Sequence, residues 1–354
     1  MTLARLPITN CTVGWMFESN PELQEIILPI WCEHEQPSAT YLYLSGILTA
    51  LIGFVGVATN CYVLYVLATR KSIERPFNWF MINLAISDLG LALTTCFPLK
   101  VIPSFTKIWI WGKPGCMFYG FCGGLFGFTS LCTLAVIAYR RYYAVVKAHT
   151  DPKQVSARTA LLTILFVWHW SFIWPLLPFF GVGRYVLEGF LTTSTFDYVS
   201  TDSSNLFFCI SLYLGGFLCP FSVIVYSYVG IICFVRKSER EISSYSRGGR
   251  LGNRRLQISA AKWSALFVLM YIVAWGPYAL VCATALLGYK KHLTPYITEF
   301  PGLFAKTASI YNPIIYVLRN PSLRKREIRR FRLCQLNKIK ISLSERFETL
   351  GRST

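Results

Sequence analysis

Between Phe304 and Tyr316 the chain reads FAKTASIYNPIIY, an apolar stretch interrupted by one lysine and by an Asn-Pro pair. The stretch lies in a longer apolar run, from about Tyr296 to Leu318. Such a run can cross a bilayer, because about 20 apolar residues suffice for a helix to do so. A proline inside a membrane helix leaves one carbonyl unpaired and is tolerated where neighbouring helices or water satisfy that group. The stretch therefore predicts a bent helix within a bundle rather than a lone membrane anchor.

Six further apolar runs of similar character precede this one along the chain. They lie at about Tyr43–Thr69, Phe77–Val101, Cys116–Tyr139, Ala160–Phe180, Leu206–Val235 and Ala260–Leu287. Seven runs predict an all-α membrane protein, a seven-transmembrane helix bundle over residues 43–319. Residues 1–42 then form an N-terminal segment, and residues 320–354 hold a short amphipathic eighth helix and a tail.

The composition is typical of a chain that lies largely in lipid. Hydrophobic residues make up 54% of the chain and charged residues only 15%, whereas soluble domains carry about 25% charge. The formal net charge of +18 would suit a nucleic-acid binder, but the basic residues gather in short segments between apolar runs and after the last run. This is the positive-inside pattern of cytoplasmic loops. We therefore expect a multi-pass protein of the cell membrane, with an extracellular N-terminus, a cytoplasmic C-terminus and no nucleic-acid partner.

Both ends of the chain carry candidate modification sites. Asn10 opens an Asn-Cys-Thr sequon, which can accept a glycan on an extracellular segment. No cleaved signal peptide is predicted. Residues 321–334 mix basic and apolar side chains in a pattern that predicts a helix lying on the lipid of the inner leaflet. Cys334 at its end is a candidate for palmitoylation, with a free cytosolic thiol as the alternative.

Motifs in different runs agree in order and spacing. They are Gly56 with Asn60, Asn83–Leu89, Trp168, Pro220 with Tyr228, Ala274–Tyr278 and Asn312–Tyr316. The ordered set resembles the rhodopsin-like family of G-protein-coupled receptors over residues 43–334. The resemblance implies a heterotrimeric G protein and arrestin as partners. It also implies a set of residues for coupling and switching: Arg140, Arg141, Tyr142, Tyr228, Asn312, Pro313 and Tyr316.

Polar groups inside the apolar runs need partners. Asn60, Asp88 and Asn312 are costly in hydrocarbon unless they face a wet bundle interior. A shared water or sodium ion would satisfy Asp88 and Asn312 together. Trp275 stands close to Pro277, so repacking of its ring can change the bend of the sixth helix. These features predict a bundle that changes shape.

Lys306 limits the functions that the protein can have. A lysine in the middle of an apolar run costs about 3 kcal/mol or more to insert as a cation, and this one lies too deep to reach the interface comfortably. A desolvated amine is a good nucleophile toward an aldehyde. In the rhodopsin-like family a lysine at this position implies an opsin, which carries retinal (11-cis-retinal or a close analogue) through a protonated Schiff base. Trp275 and Tyr278 are expected beside it, and the alternative is a structural lysine paired with a buried acid.

A protonated Schiff base needs a negative partner in a low-dielectric site. The outer end of the third run offers Tyr119 rather than an acid, but the second extracellular loop offers Glu188. Tyr119 with Glu188 resembles the arrangement of rhabdomeric and other invertebrate-type opsins, in which the loop glutamate is the counterion. The alternative for Glu188 is a solvated loop acid.

The chain departs from the opsin pattern at one disulfide bond. Cys116 occupies the usual position on the third helix, but Ser194 stands where the loop would carry its partner. Cys11 and Cys32 lie on the extracellular side of the predicted topology, so a substitute bridge to Cys116 is an open alternative. Loss of the usual bond could cost several kcal/mol and leave the loop mobile.

A second departure lies at the inner end of the third helix. The acidic-Arg-Tyr triplet of the family reads Arg140-Arg141-Tyr142 here, and Gln257 stands where many relatives carry a locking glutamate. The acid of the triplet normally holds its neighbouring arginine in the inactive state, whereas Arg140 would repel Arg141. We therefore expect raised basal activity or an altered choice of G protein.

The sequence predicts a photoreceptor, and its resemblance to rhabdomeric opsins implies that it signals through a G protein of the Gq class. Two alternatives remain: a retinal photoisomerase that does not signal, and a receptor for a diffusible ligand that happens to keep a lysine. A soluble enzyme is not expected, because the sequence shows no Walker loop, dinucleotide fingerprint, HExxH motif or paired CxxC.

Overall fold

The computed structural model describes residues 11–16, 20–69, 74–147, 155–242 and 248–319, and of these it describes only the backbone for residues 238–242, 248–257, 260 and 317–319. Asn10, Cys334, the segment at 321–334 and the side chain of Gln257 lie outside this description. The expectations about them stay predictions.

Seven long helical segments, numbered α1 to α7, follow one another through the described ranges. The five uninterrupted helices are α1 at Ala39–Thr69, α2 at Pro76–Thr95, α3 at Gly112–Tyr142, α4 at Ala157–Leu176 and α6 at Gly248–Thr284. Helix α5 has three consecutive parts, which are Ser203–Ser211, the π-helical Leu212–Leu218 and Cys219–Ile242. Helix α7 has two halves, Pro295–Lys306 and Ala308–Arg319. Shorter helical pieces lie at Pro21–Glu25, Pro29–Cys32, Val101–Thr106, Tyr143–Lys147, Leu177–Phe180, Ala285–Tyr289 and Lys290–His292. Among the described residues, those from Ile314 to Arg319 are grouped in a separate unit of the chain.

The predicted bundle is confirmed, although several helix ends differ from the predicted bounds. Six of the described segments are long and apolar enough to cross a membrane, and the break at Thr307 divides the seventh. The second run was expected to reach Val101, but α2 ends at Thr95, ahead of Pro98, which has no N–H to donate to a continuing helix. The sixth was expected from Ala260, but α6 begins at Gly248, because polar and basic residues extend the helix beyond its apolar part.

Local capping fixes where several helices begin. Ser156 accepts a hydrogen bond from Thr159 N at 3.1 Å and starts α4. Thr294 accepts one from Ile297 N at 3.3 Å, with Pro295 as the first residue of α7. Such caps satisfy backbone donors that the first helical turn leaves without partners. Thr294 therefore fixes the residue at which α7 begins, and with it the positions of the α7 side chains that face the interior of the bundle.

A two-stranded antiparallel hairpin covers one end of the bundle. Strand β1 spans Tyr185–Glu188 and strand β2 spans Thr193–Phe196, with Glu188 opposite Thr193. Both strands are buried apart from Phe196, which is half-buried. The turn needs Gly189, since its φ is +54° and a Cβ there would lie 2.6 Å from Thr298 Oγ1. The hairpin is therefore pressed against α7.

An N-terminal lid, residues 11–16 and 20–35, packs over the hairpin. Leu187 N donates to Ile26 O at 2.7 Å, so the lid adds a short parallel bridge to β1. Apolar side chains of the lid share one buried core with the hairpin and with the ends of α3, α5 and α6. The members from the lid are Val13, Met16, Leu23, Ile26, Ile27, Leu28, Trp31 and Cys32.

The disulfide of this region joins Cys11 to Cys32 within the lid. The hypothesis of a substitute bridge to Cys116 is therefore wrong. Cys116 keeps a free, buried thiol 3.1 Å from Ser194 Oγ, and Ser194 donates to Cys116 O at 2.7 Å. Hydrogen bonds thus join α3 to the hairpin where the opsin pattern has a covalent bond. The lid adds a second, covalently closed layer over the hairpin, and we expect this layer to compensate for the missing bond.

Removal of the lid disulfide by Cys11→Ser with Cys32→Ser should lower the melting temperature of the purified protein. The bond closes a loop with a sequence separation of 21 residues, and a crosslink over a loop of that size contributes about 3 kcal/mol. Cys61→Ser, which removes an exposed free thiol on α1, is the matched control and should melt like the wild type. Equal melting of the double variant and the control would contradict the role assigned to the lid.

Candidate functional site

A cavity between the helices lies directly beneath the hairpin. It is lined by α2, α3, α5, α6 and α7, and the hairpin forms its roof. All five residues predicted to bind the cofactor line this cavity: Tyr119, Glu188, Trp275, Tyr278 and Lys306. Chain positions as far apart as 119 and 306 therefore meet at one site.

Lys306 is the last residue of the first half of α7 and lines the site. Its Nζ lies 5.5 Å from the centroid of the Tyr119 ring on α3. The Tyr119 hydroxyl donates to Thr95 O at 3.1 Å, and it also has a hydrogen-bond contact with the Lys306 amine. The amine thus faces an aromatic ring, which stabilises a cation there.

A stripe of glycines on α3 makes room for the cavity. Gly120, Gly123, Gly124 and Gly127 all line it, at spacings that put them on one face of the helix. A Cβ on Gly127 would lie 3.4 Å from the Trp275 ring, and one on Gly120 would lie 2.2 Å from the Tyr185 ring. The sequence reasoning missed this stripe, although its three- and four-residue spacing is visible in the chain.

Glu188 is a buried carboxylate, with 6% of the residue exposed. It accepts hydrogen bonds from Tyr198 and, at 3.1 Å, from the Tyr278 hydroxyl. Burial raises the pKa of the Glu188 carboxyl to about 7, and the two tyrosine hydrogen bonds oppose part of that rise. The alternative that Glu188 is a solvated loop acid is therefore wrong, because the acid points into the site.

A buried ion pair beside the site was missed by the sequence reasoning. Lys100, just beyond α2, forms a salt bridge with Glu299 on α7, and both side chains are at most 2% exposed. Lys100 Nζ also donates to Thr192 Oγ1 at 2.7 Å. The sequence contained one indication that Glu299 lies near the site. Glu299 precedes Lys306 by seven residues, so it lies two helical turns away on the same side of α7.

The intramembrane polar residues find direct partners. Asn312 Nδ2 donates to Asp88 Oδ2 at 2.7 Å, and Ser130 Oγ donates to Asp88 Oδ1 at the same distance. Asn60 Nδ2 donates to Ser309 O at 2.8 Å and so ties α1 to α7. Asp88 and Asn312 thus bond directly to each other, and the shared water or sodium ion stays a prediction.

The opposite end of the bundle holds the predicted switch residues of α3. Arg141 Nε lies 3.3 Å from Ser264 Oγ on α6, and its guanidinium lies 4.2 Å from the centroid of the Phe77 ring on α2. Tyr142 packs against Tyr226 of α5 with ring centroids 5.3 Å apart. Arg141 therefore bridges α3 to α6, at a position where separation of these helices must break the contact.

Comparison with known proteins agrees with this geometry. A family model described as "7 transmembrane receptor (rhodopsin family)" matches residues 59–316. The rhodopsin of Enteroctopus dofleini is 38% identical over 309 residues, which cover 84% of this chain and 67% of the relative. A Gq-coupled rhodopsin of Mizuhopecten yessoensis is 34% identical over 302 residues, covering 83% of this chain and 60% of the relative. The crystal structure of squid rhodopsin superposes with a TM-score of 0.80 at 35% identity, covering 85% of this chain and 88% of that one.

The chain belongs to the rhodopsin family of seven-transmembrane receptors and is a multi-pass membrane protein. Within that family it is an opsin, a light-activated G-protein-coupled receptor related to the rhodopsins of cephalopods. Membership of the opsins implies a retinal chromophore.

Proposed function

We propose that the protein holds 11-cis-retinal on Lys306, with Glu188 as the counterion, and that light then activates a G protein of the Gq class. The observation that carries the proposal is the meeting of Lys306 and a buried, hydrogen-bonded Glu188 in one cavity. Retinal supplies an aldehyde that condenses with the amine, releasing water, and a polyene that changes shape in light. The residues of this chain bind it, balance its charge and respond to that change.

The lining of the cavity fits a long apolar group with one cationic end. Aromatic rings and the bare glycine face of α3 surround most of the space. Charge is confined to the end near α7 and the hairpin, where Lys306, Glu188, Lys100 and Glu299 lie. An apolar pocket with a few convergent polar groups binds one ligand in one orientation. The roof of hairpin and lid shields the amine from water.

Trp275 is suited to pass a change in the cavity on to α6. Its ring stacks on Tyr271, with centroids 5.9 Å apart, and borders Gly127 of α3. Its indole N–H is buried and has no hydrogen-bond partner among the described residues, so a shift of the ring breaks no hydrogen bond. Pro277, two residues on, lies inside α6 and provides a place to bend. Movement of the ring would therefore alter the bend of α6.

A change in the bend of α6 reaches the end of the bundle where Arg141 contacts Ser264. We infer that this end is cytoplasmic, that the lid and the hairpin are extracellular, and that opening at Arg141 and Tyr228 exposes the site for the G protein. The Gq class is supported by the Gq-coupled relative. Arrestin and the lipid of the inner leaflet are the further partners that we propose.

Nucleotide exchange on purified Gq and Gi, with retinal-loaded protein in darkness and after light, tests this function. We expect light to accelerate exchange on Gq more than on Gi. Equal rates in light and darkness on both, from protein whose spectrum still responds to light, would refute signalling and favour the photoisomerase. A preference for Gi would refute the Gq assignment alone.

Arg140→Glu should lower the exchange rate that the protein supports in darkness. A carboxylate at position 140 would attract Arg141 and hold it against α3, whereas Arg140 repels it. Arg158→Glu, an exposed charge reversal at the start of α4, is the matched control and should leave the dark rate unchanged. Absence of dark activity in the wild type, together with no decrease in Arg140→Glu, would contradict the expectation.

A further inference from the structure

The Lys100–Glu299 pair has no role in the function proposed so far, although both residues line the same cavity as Lys306. The pair joins four parts of the molecule. Lys100 follows α2, Glu299 lies on α7, Thr192 of the hairpin accepts from Lys100, and Ser45 of α1 donates to Glu299. Each charged group therefore has hydrogen bonds beyond the ion pair itself.

Hydrogen bonds of this kind are what a buried ion pair needs. Two charges taken out of water are tolerated when the geometry is good and the remaining polar atoms are satisfied. Removal of one partner leaves an uncompensated charge in a low-dielectric region, where it acts strongly on other charges. The charges within its range include Lys306 and Glu188, since Lys100 interacts electrostatically with both.

The described residues that line the cavity include two acids and two cations. The acids of the described chain that line it are Glu188 and Glu299, and the cations are Lys100 and Lys306. Lys100 is in direct contact with Glu299. Glu188 instead accepts from Tyr198 and Tyr278, which are uncharged donors. Of the two acids, Glu188 is thus the one that has no ion pair with a described cation, while the charge of Glu299 also acts on Lys306.

We propose that Lys100 neutralises Glu299, so that Glu188 alone acts as the counterion of Lys306, and that the Lys100–Glu299 pair thereby determines where the bound chromophore absorbs. The inference rests on the retinal site proposed at Lys306. Lys100 and Glu299 are positioning residues here, since they act through the charge on Lys306. A second negative charge near the Lys306 nitrogen stabilises the ground state of the bound chromophore, because the positive charge is localised at that nitrogen in the ground state. The absorption band therefore moves to shorter wavelength.

Three variants test the proposal through the absorption spectrum of protein loaded with 11-cis-retinal. Lys100→Met leaves Glu299 without its cation. The visible band of this variant should shift to shorter wavelength. Glu299→Gln leaves Lys100 without its anion, and visible absorbance should fall in favour of near-ultraviolet absorbance. The ratio of visible to near-ultraviolet absorbance should fall about tenfold, because a nearby like charge changes a pKa by about one unit or more. The double variant removes both charges, and its band should return to the wild-type position.

The exposed ion pair of Lys113 with Glu25, at 2.8 Å, provides the matched control. Lys113→Met should leave the band unmoved. Melting of the retinal-free proteins supplies a second readout: each single variant should be less stable than the wild type, and the double variant should be more stable than the sum of the two single losses predicts. This coupling can be measured even if one single variant gives little pigment.

The outcomes of these measurements distinguish the tuning role of the Lys100–Glu299 pair from the retinal site itself. Single variants that form pigment with the wild-type band would overturn the tuning role and leave the pair a structural tether. A double variant whose band shifts as far as the single variants do would also overturn it, because the effect would not depend on uncompensated charge. A wild type that forms no retinal-dependent band would instead refute the retinal site itself.

Discussion

Lys306→Ala should abolish the retinal-dependent absorption band of the purified protein. Alanine has no amine to condense with the aldehyde, so the expected loss is complete rather than graded. The measurement is the absorption spectrum after incubation with 11-cis-retinal, recorded before and after light. Melting of the retinal-free variant shows whether the fold survives the substitution.

Lys107→Ala is the control for loss of a lysine at the hairpin end of the bundle. Lys107 lies over the Tyr43 ring at 5.5 Å and does not line the cavity, so this variant should form wild-type pigment. A visible band retained in Lys306→Ala would contradict the attachment site. Lys100, which also lines the cavity, would then be the amine to examine.

Glu188→Gln should move the visible band to the near ultraviolet at neutral pH. Glutamine keeps the size of the side chain and an oxygen that can accept from Tyr198 and Tyr278, but it carries no charge. The cation at Lys306 would then lack its counterion in a low-dielectric site and lose its proton. Titration of the pigment spectrum with acid should restore the visible band in the variant.

Glu25→Gln is the matched control, because Glu25 is a half-exposed acid of the lid, away from Lys306. Its band should stay at the wild-type position. An unchanged visible band in Glu188→Gln at neutral pH would exclude Glu188 as the counterion. Glu299, the other acid that lines the cavity, would be the next residue to substitute.

Glu188 also gives the retinal-free protein a pH-dependent stability. Burial raises the pKa of its carboxyl from the ordinary 4.5 to about 7 in the folded state. Between these values the folded protein holds a proton that the unfolded chain has lost. This contribution to stability is therefore complete below about pH 4.5 and is lost as the pH rises through 7. Thermal melting across this interval should show the decrease for the wild type and a smaller one for Glu188→Gln.

The bundle and the attachment lysine were predictable because their signals are local. An apolar run long enough to cross a bilayer is visible in sequence, and a lysine in the middle of such a run stands out. The ordered motifs around Asp88, Trp275 and Asn312 then pointed to the rhodopsin family. Glu188 was found through the resemblance of its loop, since no physical rule places a loop acid in a pocket.

Features that depend on tertiary contacts were not predictable. The pairing of Cys11 with Cys32 needed the fold of the lid, because cysteine spacing does not determine connectivity. The Lys100–Glu299 pair joins residues about two hundred positions apart, and Lys100 lies at the end of an apolar run where a lysine normally marks the membrane interface. The direct contact of Asp88 with Asn312 likewise follows from how α2 and α7 pack.

The measurement that tests the account most directly is the light-minus-dark absorption spectrum of the wild-type protein incubated with 11-cis-retinal. We expect a visible band that forms in darkness, shifts on illumination and is absent from Lys306→Ala. Folded wild-type protein that forms no retinal-dependent band would contradict the retinal site and leave a rhodopsin-family receptor whose ligand must be sought elsewhere.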